Sequence, residues 1–125
     1  MKQFKELTSA ERKILSDAWE WLSENDYPFD VTENSRYLFT MDQWTNNPIA
    51  VAELRDYGHT LWVQILFVDE EYRNLGIGQT LLQRCIDASS KEGMKCGLAT
   101  HQDNNAMQRL ATKLGFSSPT IHFTI

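Results

Sequence analysis

Arg73, Gly76 and Gly78 stand between an apolar run and the first turn of a helical pattern. In full the stretch reads Arg73, Asn74, Leu75, Gly76, Ile77, Gly78 and Gln79, preceded by the charged turn Asp69, Glu70, Glu71 and Tyr72. That order suits the cradling of a phosphate. Glycines let backbone approach an anion closely, and a helix start aims unpaired N–H groups and the positive end of its dipole at it. The implied ligand carries phosphate, and a cofactor is the natural bearer.

Three phosphate loops compete for this pattern. A P-loop needs Lys and then Ser or Thr after its last glycine, but Gln79 and Thr80 follow Gly78. A dinucleotide fingerprint needs a third glycine where Leu81 stands, and no acidic ribose partner follows the next strand. The third pattern fits. Arg73, Gly76 and Gly78 match the (Gln/Arg)-x-x-Gly-x-(Gly/Ala) element of the GNAT acetyltransferase superfamily. A second element, from Asn104 through Ala111 to Leu114, Gly115 and Phe116, resembles that family's Asn-led helix and Leu-Gly-Phe ending. One helix and one strand separate the two elements, as in the family, and the strand ending at Leu66, Phe67, Val68 and Asp69 resembles its central strand.

The resemblance implies a GNAT-like acyl-CoA N-acyltransferase fold, a mixed α/β sheet of about six or seven strands with three or four helices. It implies acetyl-CoA as co-substrate, lying where two parallel strands, residues 61–68 and 95–100, splay apart. Backbone of Leu66, Phe67 and Val68 would pair with the pantetheine arm, and one N–H would polarise the thioester carbonyl. The pyrophosphate would rest on backbone N–H groups of Arg73, Asn74, Leu75, Gly76, Ile77, Gly78 and Gln79, and Asn104 would contact the pantetheine side. An amine would attack the thioester directly in a ternary complex, without an acyl-enzyme.

The chain also departs from the family. Seven residues after Asn104, where the family carries a Tyr that often protonates the leaving thiolate, stands Ala111. Water can protonate the thiolate instead, or another side chain can substitute, with His101 at the end of the 95–100 strand as the candidate. The remaining alternative is a non-catalytic acyl-CoA sensor. An alkyl amine with a pKa of about 10 is only roughly 0.1% neutral at pH 7, so a base helps. Gln64 occupies the place on the first strand where a Glu would serve, and Glu53 is the candidate to act through water. A nucleophilic Cys96 is not needed.

These residues need a scaffold. Thr8 and Glu11 have capping-box spacing, and Ile14, Leu15, Ala18, Trp21 and Leu22 recur at helical intervals to about Glu24. Strands are expected at 35–41 and 49–54 as a hairpin around Asn46, Asn47 and Pro48, with another turn at Asp56, Tyr57 and Gly58. Residues 61–68 are almost wholly apolar and read as a strand buried on both faces. A helix over 76–91, a strand over 95–100, a helix opened by Asn104 or Asn105 and closed at Gly115, and a last strand over 121–125 complete a mixed sheet. Only about ten residues separate the first helix from the first strand, so the acceptor cleft is expected to be open, a form that a second copy of the chain would complete as a homodimer. Glu24, Asp26, Asp30 and Glu33 cluster in that stretch. Of Trp19, Trp21, Trp44 and Trp62, Trp44 is the candidate to line an acceptor pocket.

Bulk properties agree with a small-molecule enzyme. The 125 residues form a single domain, 1–125, with net charge −5. That charge disfavours nucleic acid and suits a cationic acceptor. Cys85 and Cys96 sit in apolar patterns and read as reduced core residues, and His59, His101 and His122 lack metal-ligand spacing. No signal peptide and no apolar run of membrane-spanning length occurs, so a cytoplasmic setting without a membrane partner is expected.

Overall fold

Turn chemistry sets the first half of the sheet. The computed structural model describes residues 1–23, 32–99, 105–116 and 122–124. Strand β1 (Ser35–Met41) turns into β2 (Pro48–Asp56) through a tip in which Asp42 Oδ1 accepts the N–H groups of Trp44 and Thr45 at 2.7 and 3.1 Å. Strand β2 turns into β3 (Thr60–Val68) at Gly58, whose N–H donates to Asp56 Oδ1 at 2.8 Å. Helix α2 (Ile77–Lys91), strand β4 (Lys95–Ala99), helix α3 (Asn105–Lys113) and strand β5 (His122–Thr124) follow. The sheet order is β1-β2-β3-β4-β5, with β3 and β4 parallel and the other pairs antiparallel. Among the described residues that makes five strands, fewer than the six or seven expected, with three α-helices. None of these helices is long and apolar enough to cross a membrane.

Helix α1 (Ser9–Ser23) starts as its sequence requires. Thr8 Oγ1 accepts the Glu11 N–H at 3.2 Å, and Glu11 Oε1 accepts the Thr8 N–H at 2.8 Å. The Lys2 ammonium closes the motif at 2.9 Å from Glu11 Oε2. Burial pushes the Glu11 carboxyl up, but the Thr8 N–H and Lys2 outweigh it and hold the carboxyl below its usual range. A helix of 15 residues is marginal alone. Ile14, Leu15 and Ala18 anchor it against Tyr37, Val51 and Ile65 on one face of the sheet. Helices α2 and α3 cover the other face, over Ala50, Ala52 and Leu54.

A bulge in β3 changes which side chains meet which layer. Glu53 is level with Ile65 but Leu54 with Val63, so Gln64 is an extra residue on β3. Leu61 and Val63 therefore pack with α2 and α3, whereas Ile65 and Phe67 pack with α1. This corrects the expectation that residues 61–68 are buried on both faces. Burial alternates along β3, and it is β2 that is continuously buried from Ile49 to Leu54. Near the start of β3, Gly97 on β4 makes room for the Trp62 indole, since a Cβ there would lie 2.6 Å from the ring.

Burying β2 on both faces also buries Glu53, at 1% exposure beneath α1. Ser35 Oγ donates to its Oε1 at 3.2 Å and Arg55 Nε lies 3.7 Å away, but Oε2 has no hydrogen-bond partner among the described residues. Burial raises the Glu53 carboxyl above 4.5, with Arg55 and Ser35 pulling it back in part.

Two stability measurements follow from these carboxylates. Thr8→Ala removes the cap and should cost about 1 kcal/mol, a fall of roughly 3–5 °C in Tm by calorimetry. For Glu53 the sign is opposite to that of a paired carboxylate. Its folded pKa lies above its unfolded one, so the native state holds the extra proton between the two, and stability drains away as pH rises through that window. Glu53→Gln should gain on the wild type as the pH is raised from 4.5 upward. A Tm series in which the wild type gains instead would show that the Arg55 pairing outweighs burial.

Candidate functional site

The parallel pair β3/β4 runs only from Thr60↔Lys95 to Val63↔Leu98. Beyond Val63 no described strand pairs the outer edge of β3. Which backbone groups this exposes follows from the register on the other edge. The Asp69 N–H donates to Ile49 O at 2.8 Å, so Val51 and Phe67, two residues back along the antiparallel register, form the next hydrogen-bonded pair. The N–H and C=O groups of Leu66 and Val68 therefore point away from β2 into the gap. Phe67 differs from the sequence expectation. Its backbone is engaged with β2, and it reaches the cleft by its ring.

At the head of the gap the charged turn Glu70–Tyr72 leads into the glycine loop, with Asp69 Oδ1 accepting the Glu71 N–H at 3.0 Å. Asn74 and Gly76 both adopt left-handed backbone, φ 65° and 79°, and Gly76 is the N-cap of α2. Helical bonding begins with the Thr80 N–H on Gly76 O at 3.1 Å. The N–H groups of Ile77, Gly78 and Gln79 precede that bond and have no helical acceptor. The loop is steadied from outside, because the Tyr72 hydroxyl donates to Asp42 Oδ2 at 2.9 Å. That bond raises the Tyr72 pKa, while the Thr45 and Trp44 N–H groups and Tyr72 hold Asp42 below its usual value.

Edge and loop together bound a cleft of about 340 Å³, walled by Leu66, Phe67 and Val68 on one side and Ala106, Met107 and Leu110 of α3 on the other. Tyr72, Arg73, Asn74, Gly76, Ile77 and Gly78 form its head, and Trp21 of α1 closes the back. Leu75 and Gln79 lie off these walls. Leu75 is 68% exposed, and Gln79 Oε1 accepts from Lys113 Nζ at 3.2 Å, which brings a cation to the helix start. Behind the Trp21–Phe67 wall is a second hollow, ringed by Asp17, Glu20, Asp69, Glu70 and Glu71. Arg73 belongs to both spaces.

The other candidates divide. His101 and Asn104 lie outside the described residues, as do Glu24, Asp26 and Asp30, while Glu33 is exposed. Glu53 is not on the cleft wall. Gln64 is exposed at the bulge. Ala111 is fully buried in the core, and the α3 residues on the wall are all apolar. Burial raises both Cys85 and Cys96, so neither is a thiolate nucleophile. No group of metal-ligating side chains occurs among the described residues. Trp44 is 86% exposed at the hairpin tip, outside the cleft. Trp21, which its helical spacing assigns to packing, stands on the wall with Met107 and Leu110, and the last two also pack against the core. Their helical spacing is the same for a core stripe and for a cleft wall.

The model of the Acetyltransferase (GNAT) family matches residues 2–116. No curated protein matches the sequence at a significant level. Among solved structures, the chain resembles the IAA acetyltransferase of Bacillus cereus (22% identity, TM-score 0.62), covering 68% of itself and only 57% of that chain. It resembles the ribosomal-protein-S18-alanine N-acetyltransferase of Escherichia coli at 19% identity and TM-score 0.68, covering 95% of itself and 86% of that chain. A third likeness is to the PaiA N-acetyltransferase of Thermoplasma acidophilum in complex with coenzyme A (21% identity, TM-score 0.61, 91% and 68% covered). At these identities the structural likenesses speak for the fold, and the match over residues 2–116 speaks for descent: the chain belongs to the GNAT acetyltransferase family.

Proposed function

We propose that residues 1–125 form one N-acetyltransferase domain that moves an acetyl group from acetyl-CoA to a primary amine in the cytoplasm. One observation carries the reading. The edge at Leu66 and Val68, which no described strand pairs, runs straight into the free N–H groups of Ile77, Gly78 and Gln79. An extended amide-bearing arm can pair with the first as a strand would, while its pyrophosphate meets the second. The walls between are apolar, as a pantetheine chain requires. The Escherichia coli relative is an S18-alanine N-acetyltransferase and the Thermoplasma one was solved with coenzyme A, which supports both halves of the reaction. Asn104 would add a contact on the pantetheine side.

Acetyl-CoA supplies an activated acyl group. The open N–H of Leu66 or Val68 would donate to the thioester oxygen as negative charge develops there. The amine nitrogen then bonds to the acyl carbon, the carbon–sulfur bond breaks, and its electron pair leaves with the CoA sulfur. The acidic hollow behind Trp21 favours the approach of a protonated amine. We assign the proton steps to water, because the family's Tyr position is the buried Ala111 and the α3 wall is apolar. His101→Ala and Glu53→Gln should then each lower kcat less than about 10-fold, whereas loss of a true general acid or base costs roughly 100-fold or more.

Calorimetric titration tests the whole reading. Acetyl-CoA should bind with micromolar Kd, and Gly76→Asp should abolish it by placing a carboxylate at a left-handed position beside the anion. Gly78→Ala should retain binding, because its Cβ would meet Val68 Cγ2 at an ordinary 3.6 Å. Thiol release with a panel of amines then separates an enzyme from an acyl-CoA sensor. No binding to folded protein would overturn the proposal.

A further inference from the structure

Carried over from the family's loop, Arg73 belongs to the phosphate. Its side chain goes elsewhere. Arg73 Nε donates to Val68 O at 3.0 Å, one of the carbonyls that lost a strand partner when β4 diverged. The guanidinium then lies over two rings, 5.6 Å from the centroid of Phe67 and 6.0 Å from that of Trp21. Those rings pack on each other at 6.3 Å, tilted by 56°. Trp21 stands in the last turn of α1, Phe67 and Val68 end β3, and Arg73 opens the glycine loop. A single side chain thus ties together the three elements that close the back of the cleft.

We infer that Arg73 is a positioning residue that acts through Val68 and Trp21, fixing the back wall of the cleft, and is not a phosphate ligand. Turning it toward the start of α2 would leave Val68 O unpaired and take the cation off both rings. The carboxylates of the neighbouring hollow favour the guanidinium where it is. The helix start has its own donors in Ile77, Gly78 and Gln79, with Lys113 close by. Arginine is suited to this place because its Nε can serve the carbonyl while the planar fork stacks, which a lysine cannot do.

For its ligand arm the test rests on the acetyl-CoA reading. NMR titrations with acetyl-CoA and with S-acetylpantetheine, which lacks every phosphate, compare the wild type with Arg73→Ala and Arg73→Lys. Positioning predicts that Arg73→Ala weakens both ligands by the same factor, roughly 10-fold, and that Arg73→Lys fails to restore either. A loss confined to acetyl-CoA, or its rescue by lysine, would overturn the inference. A second arm needs no ligand. In urea unfolding of the free protein, Arg73→Ala and Trp21→Leu should each lower the midpoint, and the double variant should lower it by less than their sum. Additive shifts would overturn the tie between α1 and the loop. Should the wild type bind neither compound, the functional reading falls while this cycle still decides the role of Arg73.

Discussion

The parting of β3 from β4 after Val63 is the constraint on which the rest of the structure depends. A parallel pair held to its end would satisfy every backbone group on the outer edge of β3 and leave no cleft. Each backbone group deprived of a partner and of water costs about 1–3 kcal/mol, so the opening must be supported elsewhere. Arg73 satisfies the Val68 carbonyl, and the bulge at Gln64 adds local twist where the strands diverge. The bulge also hands Ile65 and Phe67 to the α1 layer, so both sheet faces keep a full core although β3 beyond Val63 is paired on one edge only among the described residues.

The glycine loop inherits its position from that opening. Two left-handed residues, Asn74 and Gly76, reverse the chain sharply enough for α2 to begin beside the end of β3. The hairpin tip braces the same loop through Asp42 and Tyr72, a contact across 30 positions of sequence. An anion site made of backbone N–H groups is only as good as its rigidity. Here support comes from the turn between β1 and β2, through the Tyr72 hydroxyl on Asp42.

Local signals in the sequence were legible because their physics is local. The box at Thr8 and Glu11, the turns around Asn46, Asn47 and Pro48 and at Gly58, and the glycine loop all form within a few residues of one another. The bulge was not legible. A run that is apolar on both sides of Gln64 carries no mark of the residue that slips register, because Gln64 reads equally well as an ordinary polar strand position. The expectation that Trp21 packs in the core failed for a related reason, since a helical stripe does not say whether its last turn faces a layer or a cleft. Arg73 was found by its motif, but the path of its side chain depends on Val68, Phe67 and Trp21, which only the folded chain brings together.

The apolar α3 wall also bears on which proton matters. A thiol of pKa about 8.5 is a tolerable leaving group near neutrality, and leaving as the free thiolate costs about 2 kcal/mol. Freeing an alkyl amine of its proton at pH 7 costs about 4 kcal/mol. On the proposed reading, the Ala111 that stands where the resemblance places a tyrosine removes the smaller of two aids. The acidic hollow sharpens the larger need, because the carboxylates that draw a protonated amine toward the Trp21–Phe67 wall also raise its pKa. An acceptor that arrives charged must lose that field before it reacts. On the proposed reading, an acceptor that left the hollow for the apolar-walled cleft would lose that field.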